Sequence, residues 1–446
     1  MIKMKSGIWV LRLALLLLFL GVLFGFLASF AYRLSDAKSD FIGFLKLRPL
    51  HVTSAYFGIV LGGLACVALA IQRDAVQRSA TRLLKVHLLL WLVALVGIFY
   101  SYLTGDFGGR EYWEFKPIWA LPILLSYFVF LVYFLKNVGS YKSWPVYYWM
   151  WFTGIVFFAF IFIENYLWLF PYFREHLIAD MTIQWKVNGS IVGAVNQIIY
   201  GLAFYLMTKI SGNEKMGHSK LIFAMYFLGL FNLMFNWGHH IYILPTDRYI
   251  HHISYIVSMT EWVILIRIFY NWNQQLNENR THYYFFPYRF LMAADYWVII
   301  NLAIALLMSI PAFNLYTHGT QITVAHAMGT TIGINTMIVL GGAFYFIKPT
   351  FESGKALMRM TLVFWTTQIA LLLFLITLAG MGIQRALWQA GISGAAFGQM
   401  MLKSRPWMIG FIITGTLLFV SLASVVLYLL FHSFKTKATY QLHRKV

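Results

Sequence analysis

The run QITVAHAMGTTIGINTMIVLGGAFYFIK, residues 321–348, decides how the chain is read. It contains no Asp, Glu or Arg, and its single lysine closes it. A helix crosses the hydrocarbon core with about 20 predominantly apolar residues, so this run can span a membrane. It nevertheless carries His326 and Met328 near its start. On a helix, positions i and i+2 point roughly 200° apart. The two side chains therefore cannot serve one small site together. The question is whether each serves a site on its own flank.

The surrounding chain is of the same kind. Of its 446 residues, 60% are hydrophobic, 19% aromatic and only 11% charged, and mean hydropathy is +0.70. A soluble domain carries about 25% charged residues. No segment alternates as the strands of a membrane barrel do. The expectation is an all-α, polytopic membrane bundle of twelve transmembrane helices. They fall near 8–32, 50–71, 83–103, 117–137, 144–170, 187–209, 219–243, 249–272, 289–311, 321–348, 358–380 and 408–431. The first run is too long, and too directly followed by others, to read as a cleaved signal peptide. No linker or soluble segment interrupts the series, so residues 1–446 read as a single integral-membrane domain with a basic tail.

The net charge is +19. In a chain of spans this is positive-inside bias, not the signature of a nucleic-acid partner. Lys3 and Lys5, Arg73 to Lys85, Lys136 and Lys142, Lys209 to Lys220, Lys348 to Arg359 and the tail from Lys435 fall on one side. The opposite loops are mixed, as in Asp106, Arg110, Glu111 and Glu114, or Asp247 and Arg248. Both termini are therefore expected in the cytoplasm. Cys66 is the one cysteine, which excludes a disulfide, a thiolate metal site and a covalent Cys-x-x-Cys-His heme.

Depth sorts the thirteen histidines. His51 opens span two, His239 and His240 close span seven, and His326 lies one to two turns into span ten. All four fall in the outer half of the membrane. A lone histidine near a span end is ordinarily interfacial. Four at one depth, including an adjacent pair, point to ligands for heme iron or a divalent metal. His87, His176, His218, His282, His432 and His443 read as ordinary loop or edge residues, as do His251 and His252. Glu261 lies near mid-membrane in span eight. A carboxylate there faces a cavity, a proton path or a metal, or is paired with a helix hydroxyl.

In this order, these residues resemble the large, heme b-containing subunit of cytochrome c-dependent nitric oxide reductases, within the heme–copper oxidase superfamily. The likeness spans essentially the whole chain. RPLH at 48–51 is similar to the motif whose histidine ligates a low-spin heme b. GREYWE at 109–114 resembles the loop beside the heme propionates, implying propionate contact for Arg110 and calcium binding for Glu111. GHH at 238–240 resembles the pair that holds a non-heme iron, and Glu261 matches a glutamate near that iron. THGTQITVAH at 317–326 resembles the entry to span ten, where the last histidine ligates the high-spin heme b.

Two positions depart from the family. Its span ten carries His-x-His, with one histidine for each heme; here the second is Met328. The resemblance then implies a low-spin heme ligated by His51 and Met328, with a higher potential than a bis-histidine heme. The alternative is that Met328 only packs beside a five-coordinate or absent heme. In span six, NGSIVGAVN at 188–196 fits a frame of one histidine and two glutamates, with Asn188, Val192 and Asn196 in their places. Asparagine is a weak iron ligand. The metal would rest on His239, His240 and Glu261, with Asn188 a weak addition and Lys186 or Gln184 the substitutes if the register slips. Two histidines and a carboxylate suit iron(II) with open positions.

The implied activity is reduction of two NO to nitrous oxide and water at a heme b and non-heme iron centre. Electrons would enter through the low-spin heme, and Glu261 would deliver protons or ligate the metal. The histidine-to-asparagine change also resembles nitric oxide dismutases, which convert NO to nitrogen and oxygen. An oxygen reductase fits less well, because span six has no histidine for the cross-linked histidine–tyrosine pair. A transporter or structural subunit without cofactors is the alternative of another class. The resemblance further implies a bacterial inner-membrane location and a membrane-anchored cytochrome c subunit on the outer face near GREYWE.

Overall fold

The computed structural model describes residues 5–33, 43–74, 80–259 and 261–435. Among them there is no strand, only the isolated bridge Arg110–Trp113. Eleven segments are helical, long and apolar enough to cross a membrane. The principal helices are α1 (Lys5–Arg33), α2 (Phe44–Asp74), α3 (Thr81–Thr104), α4 (Ala120–Asn137), α5 (Val146–Glu164), α6 (Leu177–Ser211) and α7 (Lys220–Phe235). They continue as α8 (Arg248–Ser258), α9 (Glu261–Gln274), α10 (Phe285–Ser309), α11 (Pro311–Thr317), α12 (Gln321–Met328), α13 (Met337–Ile347), α14 (Gly354–Gln389) and α15 (Arg405–Lys435).

The expected all-α membrane bundle is what the chain forms. The run expected as span eight covers α8 and α9, with Thr260 between them outside the described residues. Its first part carries Arg248, His251 and His252, so it lacks the continuous apolar surface of its neighbours. The chain forms two compact units, Met1–Trp144 with Val339–Thr367 and Phe419–Val446, and Pro145–Ile338 with Gln368–Leu418.

In the first unit α2 is the inner helix. Of its apolar stretch 89% is buried, against 33% for α1. Lipid tails are as apolar as leucine, so membrane helices associate through close packing of small residues. Gly21 of α1 lies against Ala55, whose backbone nitrogen would stand 2.8 Å from a Cβ at position 21. Arg12 is accommodated in α1 by donating to the Ser433 carbonyl at 2.6 Å and lying over the Trp9 and Phe434 rings.

In the second unit α6 is central, with 72% of its apolar stretch buried. It packs between α5 and α7. Span ten is not uniform: α12 gives way to a π-helical segment, Gly329–Thr336, before α13 resumes. π-helical turns concentrate at functional sites. This one is tied by polar side chains, Asn301 Nδ2 donating to Thr330 Oγ1 at 2.7 Å and Asn335 Nδ2 to Asn196 Oδ1 at 3.3 Å.

Candidate functional site

The paired histidines sit where α7 tightens into a 3-10 turn, Asn236–Ile241. Three residues per turn set consecutive side chains about 120° apart. Even so, the His239 and His240 rings lie 4.2 Å apart between centroids. Neighbouring elements hold the turn. His239 Nδ1 donates to Asn236 Oδ1 at 3.0 Å, Ser254 Oγ of α8 donates to the Asn236 carbonyl at 2.8 Å, and Asn314 Nδ2 of α11 donates to the His239 carbonyl at 3.2 Å. With the proton on Nδ1, the His239 lone pair falls on Nε2, the arrangement of a metal-ligating imidazole.

α6 approaches this turn through a glycine. A Cβ at Gly189 would stand 2.8 Å from Trp237 Cβ and 3.3 Å from His240 Cδ2. Trp185, one turn earlier, stacks on His240 with centroids 5.8 Å apart and planes 11° apart. It also meets His318, which follows α11, edge-on at 5.0 Å. His318 lies 6.0 Å from His240 between centroids. Burial lowers the His318 imidazole below its ordinary range. His239 lies within electrostatic reach of both His318 and His326.

Five side-chain atoms here are buried without a hydrogen-bond partner: Asn188 Oδ1 and Nδ2, His240 Nδ1, His318 Nε2 and His326 Nδ1. Each unpaired buried polar group costs about 1–3 kcal/mol. A cluster of them marks a place shaped for a group outside the polypeptide. Yet among the described residues no three His, Cys, Asp or Glu side chains stand close enough to hold one metal ion. The turn brings two imidazoles together, with no third His, Cys, Asp or Glu ligand beside them among the described residues. Glu261 opens α9, but its side chain lies outside the described residues.

The span-six substitutes fall out differently. Lys186 is engaged by Glu164 of α5, and so is committed to an ion pair. Val192 is 39% exposed, and Asn196 is paired with Asn335. Asn188 alone keeps an unsatisfied amide near the histidines. His326 and Met328 both lie in α12, whose regular winding puts them on opposite flanks.

In the first unit, His51 Nδ1 donates to the Gly21 carbonyl at 2.7 Å, again leaving the lone pair on Nε2. A Cβ at Gly25 would stand 2.7 Å from the His51 ring. One turn before His51, Arg48 pairs with Glu114 at 2.9 Å and Glu111 at 4.0 Å. RPLH and GREYWE are thereby joined. The loop closes on itself through Trp113 N–H to the Arg110 carbonyl at 2.8 Å, with Tyr112 at φ 70°. Burial pushes the Glu114 carboxyl up, against the backbone hydrogen bonds and Arg48 that favour its charge. His87, expected at a span edge, is fully buried in α3, its Nδ1 2.7 Å from Ser126 Oγ and its Nε2 without a hydrogen-bond partner.

The sequence profile of the family described as "Cytochrome C and Quinol oxidase polypeptide I" matches residues 5–417. The chain belongs to this family, subunit I of the heme–copper oxidases. Members are oxidoreductases that bind hemes and work with other subunits. This subunit I chain is similar to cytochrome c oxidase subunit 1 of Rhodobacter capsulatus, 26% identical over 404 residues, covering 84% of this chain and 74% of the relative. It is also similar to a nitric oxide reductase subunit of Stutzerimonas stutzeri, 24% identical over 373 residues, covering 76% of this chain and 75% of the relative. Its fold matches a heme–copper terminal oxidase dimer solved by cryo-EM, with TM-score 0.69 at 13% identity, over 99% of this chain and 85% of that one.

Site residues that the sequence did not single out are Trp185, Asn236, Asn314 and His318. His318 lies inside the THGT motif, and Trp185 precedes Asn188 by three, one helical turn. Those spacings were the available signals. Asn236 and Asn314 act on backbone and ring atoms of His239, and no motif announces such contacts.

Proposed function

We propose that this subunit I chain is the catalytic subunit of a nitric-oxide-reductase-type enzyme. It takes two NO, two electrons and two protons to nitrous oxide and water. The observation that carries the reading is the α6 face against the paired histidines, which presents Trp185 and the unsatisfied amide of Asn188. An oxygen reductase with a cross-linked histidine–tyrosine pair needs a histidine on that helix, and α6 has none.

The two hemes b and a non-heme iron, when bound, supply redox coupling between the NO molecules. The side chains supply the rest. His326 would hold the high-spin heme, and His51 and Met328 the low-spin heme. His239, His240 and Glu261 would hold the non-heme iron, with Asn188 offering a weak amide oxygen. Asn236 keeps the His239 tautomer, and Trp185 holds the plane of His240. Glu261 would hand protons to the reacting oxygen. Arg110 would contact a propionate and Glu111 a calcium ion. A cytochrome c subunit in the bacterial inner membrane would bring electrons.

Asn188 in a histidine position also supports a second reading, nitric oxide dismutation. Purified, pre-reduced protein given NO at an electrode, with the gas analysed by mass spectrometry, tests both. One nitrous oxide per two NO supports the reductase. Nitrogen with oxygen makes it a dismutase. Absence of a heme b spectrum overturns both.

A further inference from the structure

Beside the histidine turn lies a cavity. Arg248, His251, His252 and Tyr255 follow one another along α8 at i, i+3, i+4 and i+7. This spacing puts a guanidinium, two imidazoles and a phenol on one helix face. With Pro311 at the start of α11 they line a cavity of about 450 Å³. His251 is oriented by Thr246, whose Oγ1 lies 2.9 Å from Nε2, and by the Tyr242 ring at 5.2 Å.

Among the described residues no ion pair involves Arg248, not even with the adjacent Asp247. A permanent cation without a carboxylate partner, next to further N–H and O–H donors, suits an anion. The cavity is larger than a bare phosphate, which takes the room of only a few waters of about 30 Å³ each. Its shoulders are apolar and open. Tyr249 and Ile256 on α8 and Leu315, one turn after Pro311 on α11, are all more than half exposed. An anionic headgroup carrying apolar chains satisfies both features.

The geometry points to a binding site for the headgroup of an anionic phospholipid. Its phosphodiester lies on Arg248, His252 and Tyr255, and its acyl chains run along Tyr249, Ile256 and Leu315. A guanidinium beside further donors holds a phosphodiester by charge-assisted hydrogen bonds. The lipid braces α8, and α8 braces the histidine turn through Ser254 and through the close approach of Gly238 to the Ile250 carbonyl. This site is separate from the proposed reaction and does not rest on it.

The test uses the full-length, heme-loaded protein, delipidated in mild detergent. Short-chain phosphatidylglycerol, phosphatidylcholine and inorganic phosphate are titrated separately, with bound lipid counted by native mass spectrometry and the thermal midpoint followed. Phosphatidylglycerol binds and raises the midpoint. R248Q binds it about tenfold more weakly, the loss of one charge-assisted contact, and R248K restores part of the binding. Equal binding of phosphatidylcholine, a full response to inorganic phosphate alone, or wild-type binding by R248Q overturns the assignment. If R248Q does not fold, the exposed-site variant H252Q decides, and unchanged binding there overturns it too. Heme b absorbance and iron content of R248Q stay at wild-type levels, which separates this outcome from any failure of the nitric oxide reading.

Discussion

His51 keeps its place because residue 25 has no side chain. Its Nδ1 reaches the Gly21 carbonyl at 2.7 Å only while its ring passes over Gly25. G25L therefore displaces the imidazole, and the low-spin heme band falls while the high-spin band persists. Equal loss of both bands, or of neither, argues against His51 as the low-spin ligand. Met328 makes a different prediction. M328H should produce a bis-histidine spectrum and a lower midpoint potential, since thioether ligation raises the potential. An unchanged band and midpoint would show that methionine is not a ligand. The opposite facing of His326 and Met328 is legible in two letters of sequence, because helix winding alone sets it. The stacking of Trp185 on His240 is not, because it joins two helices that are far apart in the chain.

At the scale of elements, the site depends on how close α6 comes to the 3-10 turn after α7. Gly189 sets that distance. G189V inserts a branched side chain where a single Cβ already meets Trp237 at 2.8 Å. The expected cost is about 1–3 kcal/mol, typical of overpacking. Iron content, measured by elemental analysis, should drop together with the thermal midpoint. A lowered midpoint with full iron occupancy would mean the turn relaxes without disturbing the metal. Hydropathy located the long helices, since length and apolarity are local properties.

For the whole molecule the proposed cofactor set makes a stoichiometric prediction. Two hemes b and one non-heme iron correspond to three irons for every two hemes. Pyridine hemochrome and elemental iron on the same preparation measure the ratio. Equal iron and heme would remove the non-heme iron from the proposal. Membership of the heme–copper oxidase subunit I family places the chain among heme-binding membrane oxidoreductases. Its named relatives include both a cytochrome c oxidase subunit and a nitric oxide reductase subunit, so the reaction is decided by a few side chains on one scaffold.

By itself, the sequence determined that this is an all-helical membrane protein and that His326 and Met328 face apart. These follow from hydropathy over about 20 residues and from helix periodicity, both local. Only the tertiary structure decided that Arg48 joins RPLH to GREYWE, that Lys186 is engaged by Glu164, and that His318 and Trp185 stand beside His240. Those outcomes depend on contacts between segments distant in the chain, where a close approach such as that at Gly189 sets what can touch.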